Sequence, residues 1–179
     1  MREVRTARED EFDRVMDFYS AMIDQMAGTD FDVRWKHGVH PSPEFLRAAV
    51  DAGQVHVLMV RDDAHQPCIA AAMVLDGDAA KGYERVPWGV AAAPDEVWVV
   101  HVLATLPAFH GRGFARDLML GGLKAARAAG KRAVRLDVFP DNVRARRLYE
   151  ACGFKSKGTF PLLYEDLGPA NFCLYECAL

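Results

Sequence analysis

A glycine-punctuated junction between a buried strand and a helix is the first place where residue types and spacing in this chain could do chemistry. Leu103 to Arg116 reads LATLPAFHGRGFAR, an apolar run that passes through Gly111 and Gly113 directly into a helical pattern. The first turn of a helix presents backbone N–H groups without intrahelical acceptors, and the aligned peptide dipoles add about half a positive charge there. Such an end attracts anions, phosphates above all. Gly111 and Gly113 remove side chains where a phosphate must approach, and Arg112 and Arg116 can add charge-assisted bonds. The junction is not a P-loop, and it lacks the third glycine of the dinucleotide-binding fingerprint. The same spacing also serves as a plain tight connection.

A second constellation lies in Leu136 to Phe154, LDVFPDNVRARRLYEACGF. Asn142 and Tyr149 are seven residues apart, about two helical turns, and point to one side of a helix. An amide near the helix start and a phenol two turns on can flank a ligand entering from the strand ends. The plainer alternative is an N-cap Asn and a core Tyr. No metal site is expected: of the four cysteines, Cys173 and Cys177 are four apart but have only carboxylates near them, whereas zinc needs about four ligands at defined spacings. Cys68, Cys152, Cys173 and Cys177 sit in apolar runs and read as reduced core thiols.

The elements that must position these groups follow from hydrophobic periodicity. Val4 to Ala7 reads as a strand, and Glu9 to about Met26 as an amphipathic helix with Phe12, Val15, Met16, Tyr19, Met22, Ile23 and Met26 on one face. Gly28 to Pro43 reads as a loop, and Glu44 to Ala52, stopped by Gly53, as a helix. Val55 to Arg61 and Cys68 to Leu75 form an antiparallel hairpin across the polar turn Asp62 to Pro67. A loop from Asp76 to Pro94 leads to Glu96 to Thr105, EVWVVHVLAT, whose nearly unbroken apolar run suits a central strand buried on both faces. Then come a helix from about Arg112 to Ala129 ended by Gly130, a strand Ala133 to Phe139, a helix Asn142 to Cys152, and strands near Phe154 to Phe160 and Phe172 to Cys177. This order is that of an α/β layer.

Composition narrows the function. The 179 residues suit one domain spanning 1–179, and 51% hydrophobic with 26% charged residues can bury a core. A net charge of -3 provides no general basic field, so nucleic acid is not expected as a partner. No run approaches the roughly 18 to 20 apolar residues of a membrane span, and the N-terminus has no apolar signal segment. A cytoplasmic protein that does not engage membranes is expected.

Taken together, the two constellations resemble the GNAT superfamily of acyl-CoA-dependent N-acetyltransferases. His110-Gly111-Arg112-Gly113-Phe114-Ala115 matches the family's pyrophosphate motif, [Q/R]-x-x-G-x-[G/A], with His110 in place of Gln or Arg. Leu103-Ala104-Thr105 followed by Pro107 stands where the family has L-A-V-x-P, with Thr105 for Val. Asn142, Ala145, Leu148, Tyr149, Gly153 and Phe154 match N-x-x-A-x-x-L-Y-x-x-x-G-F in full. The motifs occur in the family's order, and the element pattern covers nearly the whole chain.

The resemblance implies a single-domain α/β GNAT fold: a central mixed, mostly antiparallel, twisted sheet of about six to seven strands flanked by helices, with two parallel central strands splayed to admit the cofactor. It implies acetyl-CoA as cosubstrate and a primary amine of a small molecule or peptide as acceptor; the alternative is a catalytically inactive acyl-CoA-binding sensor or interaction module. Backbone groups of Leu103, Ala104 and Thr105 would meet the pantetheine arm and acetyl carbonyl. The amides of Gly111, Arg112, Gly113, Phe114, Ala115 and Arg116 would hold the pyrophosphate, Asn142 the pantetheine side, and Tyr149 would face the thioester sulfur. Trp35, Tyr83 and Trp88, with His37 and His40, would lie near the acceptor. Asn171 to Leu179 reads either as an internal strand or as one that joins a partner's sheet, which leaves a homodimer open.

The chemistry explains why such groups are wanted. An amine of pKa about 10.4 is only about 0.04% neutral at pH 7, a population cost of roughly 4.6 kcal/mol, so a base must act. Some family members use a Glu on the central strand, where this chain aligns Val99. His101 lies two residues on, on the same side by strand alternation and where serotonin N-acetyltransferase-like members carry a histidine. Its ordinary pKa near 6.5 suits proton transfer at neutral pH, directly or through water, although a packed core histidine reads the same way in sequence. Tyr149 is the candidate acid for the leaving thiolate.

Overall fold

The computed structural model describes residues 2–30, 32–62, 64–165 and 167–179. Its strands are β1 (Glu3–Thr6), β2 (Val55–Arg61), β3 (Pro67–Asp76), β4 (Val97–Thr105), β5 (Ala133–Val138), β6 (Lys155–Tyr164) and β7 (Gly168–Ala178). Its helices are α1 (Phe12–Met26), α2 (Pro43–Asp51), α3 (Phe114–Ala128) and α4 (Val143–Ala151). The strands form one seven-stranded sheet in the order β1-β2-β3-β4-β5-β7-β6. β4 and β5 are parallel, while β1–β2, β2–β3, β5–β7 and β6–β7 are antiparallel, which is the mixed, mostly antiparallel sheet that the resemblance implies. Among the described residues no helix is long and apolar enough to cross a membrane.

The parallel pairing is short. Val97, Trp98 and Val99 register with Ala133, Val134 and Arg135, and there the ladder stops, although β4 runs on through residues 100–105 and β5 through 136–138. Beyond these three pairs the two strands share no further ladder register among the described residues.

The chain divides into two compact units, Met1–Leu75 with Val102–Gly121, and Asp76–His101 with Gly122–Leu179. In the first, the apolar stripe of α1 (Val15, Phe18, Tyr19, Met22, Met26) packs with Leu46, Ala49 and Val50 of α2, with β2 and β3, and with Val102 and Ala104. The periodicity that marked α1 is thus a core face. The α2 start is built by Ser42, whose Oγ accepts the Phe45 N–H at 3.1 Å, followed by Pro43 in the first turn. Gly121 on α3 lies so close to Val4 that a Cβ would come within 2.5 Å of its Cγ1.

In the second unit, Tyr83, Val86, Val99, Leu162, Phe172 and Leu174 form a separate apolar cluster. β7 pairs with β5 on one side and β6 on the other, so the segment from Asn171 onward is an internal strand of its own chain. β6 and β7 are longer than the periodicity suggests, and β6 runs through Pro161, which pairs with Asn171. β6 lies at the sheet edge, where a proline forfeits no ladder bond on its open side.

Candidate active site

The anion-binding junction has the geometry its sequence implies. Gly111 and Gly113 have φ of +74° and +78°, a region that costs a side-chain-bearing residue about 1–2 kcal/mol, and a Cβ at either would meet nothing within 4 Å. The space beside both glycines is open. Asp117 N–H donates to the Gly113 carbonyl at 3.0 Å, so α3 begins there and the amides of Phe114, Ala115 and Arg116 form its first turn. Phe114 is buried and anchors the helix, whereas Arg112 and Arg116 are exposed. His110 turns inward: its Nε2 lies 2.8 Å from the Thr105 carbonyl oxygen and so donates to it, tying the junction to the end of β4.

The β4 backbone carries a feature that the residue types hide. Val102 has φ +47°, an outlier for a β-branched residue and a strain of roughly 1–3 kcal/mol. Its carbonyl accepts a 3.0 Å bond from the buried Tyr19 hydroxyl of α1. That bond satisfies the carbonyl at the kink and uses a polar atom inside an otherwise apolar helix face. Burial holds the Tyr19 phenol protonated, with its pKa raised far above the ordinary value. In the sequence Tyr19 reads only as part of a core stripe, and its single polar atom is the one signal of a further role. Beyond the kink, the hydroxyl Oγ1 of Thr105 is buried with no hydrogen-bond partner among the described residues.

Asn142 is the N-cap of α4, its Oδ1 accepting the Ala145 N–H at 3.1 Å. The capping alternative is therefore present, and it orients the side chain while occupying only the oxygen. Two turns on, the Tyr149 ring is buried against Phe154 and Tyr175, with centroids 6.0 and 6.1 Å away. Burial, then Asp137 and Cys152, push its pKa well above 10. Gly153, at φ +94°, stops the helix and lets Phe154 N–H reach the Tyr149 carbonyl at 3.0 Å.

His101 is not an isolated core histidine. Its Nε2 lies 3.0 Å from Asp76 Oδ1 and 3.0 Å from the Asp78 carbonyl oxygen. Burial opposes its charge, but the Asp76 hydrogen bond and the nearby charges of Asp76 and Asp137 outweigh it and raise its pKa above 6.5. Asp137, on β5, accepts at Oδ2 from the hydroxyls of Tyr83 and Tyr164, each at 2.7 Å. Neither Asp76 nor Asp137 stands out in the sequence. Each is a lone carboxylate in its own strand, and only folding groups them around His101.

The three aromatics expected near the acceptor have defined settings. Trp35 is half-buried against Tyr19 and His40. Tyr83 is buried with its hydroxyl committed to Asp137, and Trp88 donates from Nε1 to the Tyr83 carbonyl at 2.8 Å while Arg135 lies 4.3 Å from its ring centre. The Trp88 loop is pinned by Glu176, which accepts Gly89 and Val90 N–H at 2.8 and 3.2 Å and pairs with Arg135 and Lys157. Among the described residues no group of three or more His, Cys, Asp or Glu is placed to hold a metal.

Known proteins share both the sequence pattern and this architecture. The family model described as the acetyltransferase (GNAT) family matches residues 21–154. A mycothiol acetyltransferase of Frankia casuarinae is 43% identical over 63 residues, which is 35% of this chain and only 18% of that relative's length. Among solved structures, an N-acetyltransferase from Staphylococcus aureus superposes with a TM-score of 0.66 at 15% identity, covering 99% of this chain and 98% of the other. The yncA protein of Salmonella typhimurium, determined with its cofactor acetyl-CoA, gives 0.66 at 16% identity, with 99% and 94% covered. A GCN5-related N-acetyltransferase from Kribbella flavida gives 0.64 at 17%, with 99% and 98% covered. At these identities the structural likeness establishes the fold, and the family model establishes kinship: the chain belongs to the GNAT acetyltransferase family.

Proposed function

We propose that this protein is an N-acetyltransferase that moves the acetyl group of acetyl-CoA onto a primary amine of a small molecule or peptide by direct attack on the thioester. The observation that carries the reading is the junction at residues 111–116, where two positive-φ glycines open space at the head of α3 and its first-turn amides. A pyrophosphate fits this donor set: backbone N–H groups, a helix dipole and the exposed Arg112 and Arg116. The acetyl-CoA in the yncA structure and the acetyl transfer named for the Frankia relative support the choice of acyl donor.

Acetyl-CoA supplies an activated acyl carbon and a thiolate leaving group. The chain's residues do the rest. Leu103 to Thr105 present strand-end backbone groups to the pantetheine arm and acetyl oxygen. A preorganised N–H aimed at the developing negative charge is worth about 2.7 to 4 kcal/mol. The Asn142 side chain, turned by its cap, offers its NH₂ to the pantetheine side. His101 takes a proton from the ammonium. Tyr149, protonated throughout the working range because burial holds its pKa high, donates from its hydroxyl to the sulfur as the C–S bond breaks. A thiolate forming in the same low-dielectric surroundings also has its pKa raised, which narrows the gap between donor and acceptor.

Incubation with acetyl-CoA and a panel of primary amines, read as free thiol, tests this. Thiol release that depends on an amine is expected and names the acceptor class. Tight acetyl-CoA binding without release from any amine would instead mark a sensor.

A further inference from the structure

The hydrogen bonds around His101 specify which of its nitrogens can titrate. Nε2 faces two groups at 3.0 Å, the Asp76 carboxylate and the Asp78 carbonyl, and both only accept. Nε2 must therefore carry a proton in the neutral ring as well as in the charged one, and the nitrogen that gains and loses a proton is Nδ1. Asp76 is itself fixed: it closes β3, is 4% exposed, and its Oδ1 also accepts the Asp78 N–H at 2.9 Å. Among the described residues His101 is the only ion-pair partner of this buried carboxylate. A buried carboxylate without a Lys or Arg favours a positive charge on the imidazole facing it. From β5 Asp137 acts on the same ring, its own Oδ2 bonded by the Tyr83 and Tyr164 phenols.

We propose that Asp76 is the positioning residue of the reaction: it holds His101 as the Nε2–H tautomer, makes Nδ1 the atom that accepts the proton of the acceptor ammonium, and supports the imidazolium that results. This rests on the reading of His101 as base under Proposed function. The balance is complete without any other reactant. The ammonium gives one proton to Nδ1 and becomes a nucleophile; the C–N bond forms and the C–S bond breaks. The second nitrogen-bound proton is lost as the amide forms, the sulfur receives one proton from Tyr149, which is restored in turn, and His101 returns its proton to solvent. The net products are amide, free thiol and one proton. The same logic orients the histidine of other carboxylate–imidazole pairs.

Two measurements test it. In ¹⁵N-labelled protein, ring nitrogen shifts followed through a pH titration should show His101 neutral as the Nε2–H form, with Nδ1 titrating above pH 6.5. Asp76→Asn, which keeps an acceptor oxygen but no charge, should lower that midpoint without changing the tautomer. Asp76→Ala should lose the tautomer preference as well. With an amine taken from the panel, Asp76→Asn should lower kcat by about 10- to 100-fold, leave KM for acetyl-CoA unchanged, and move the acidic limb of the kcat/KM profile to lower pH. An Nδ1–H tautomer, or an unshifted midpoint in folded Asp76→Asn, overturns the positioning role. If Asp76→Asn only destabilised the fold, the acidic limb would stay in place, and that too overturns it. Failure of the function reading shows separately, as an absence of amine-dependent thiol release while the nitrogen titration still reads the tautomer.

Discussion

The junction at residues 110–116 and the cluster around His101 are made of different materials. The junction is contiguous in sequence, exposed, and built from backbone amides, so the identity of most side chains matters little; His110 stands where the family has Gln or Arg and simply tethers the loop to the Thr105 carbonyl. The His101 cluster is partly buried and built from side chains of β3, β4, β5 and the loop that follows β3, each with a defined atom facing another. Backbone binding is broken by adding a Cβ, whereas side-chain chemistry is broken by changing one atom. The two regions should therefore fail in different ways when mutated.

The largest effect should come from single-atom changes on the chemical side. Tyr149→Phe removes one hydroxyl and should lower turnover by about 10²- to 10⁴-fold while calorimetric affinity for acetyl-CoA hardly changes. Unchanged turnover would remove Tyr149 from the mechanism. On the backbone side, Gly113→Val places a β-branched residue at φ +78° and puts atoms into the open space beside the helix start. The strain alone, about 1–2 kcal/mol, corresponds to roughly 5- to 30-fold weaker acetyl-CoA binding if the loop relaxes to relieve it. A Val variant that binds acetyl-CoA as tightly as the parent would mean the phosphates sit elsewhere. The smallest effect should be Tyr19→Phe, which strips the kinked Val102 carbonyl of its donor and should reduce unfolding free energy by about 1 kcal/mol in urea titrations. A change near zero would show that the kink is held by packing alone.

The readability of this chain followed the same division. Helix α1, the hairpin β2–β3, the glycine stops and the two family motifs are local patterns, and the structure places them where periodicity puts them. β6 and β7 extend beyond the 154–160 and 172–177 that periodicity suggests, and each takes in a proline, Pro161 and Pro169. Whether a proline is tolerated depends on which side of its strand lies at an edge, and that is a property of the sheet order. Nothing local marks Val102 as a kink, since valine is among the residues least suited to positive φ. The kink coincides with the Tyr19 hydroxyl bond to its carbonyl and with the burial of Val102 in the core around α1, contacts made by residues distant in sequence.

Local order in the chain was thus sufficient for the element sequence, the anion-binding junction and the kinship with acetyltransferases, because turn glycines, helix starts and apolar periods act over a few residues. The pairing of His101 with Asp76, the tyrosines on Asp137, the early end of the β4–β5 ladder and the strain at Val102 were decided only in three dimensions. Each depends on atoms from residues far apart in sequence, and on burial strong enough to make one hydrogen bond or one charge count.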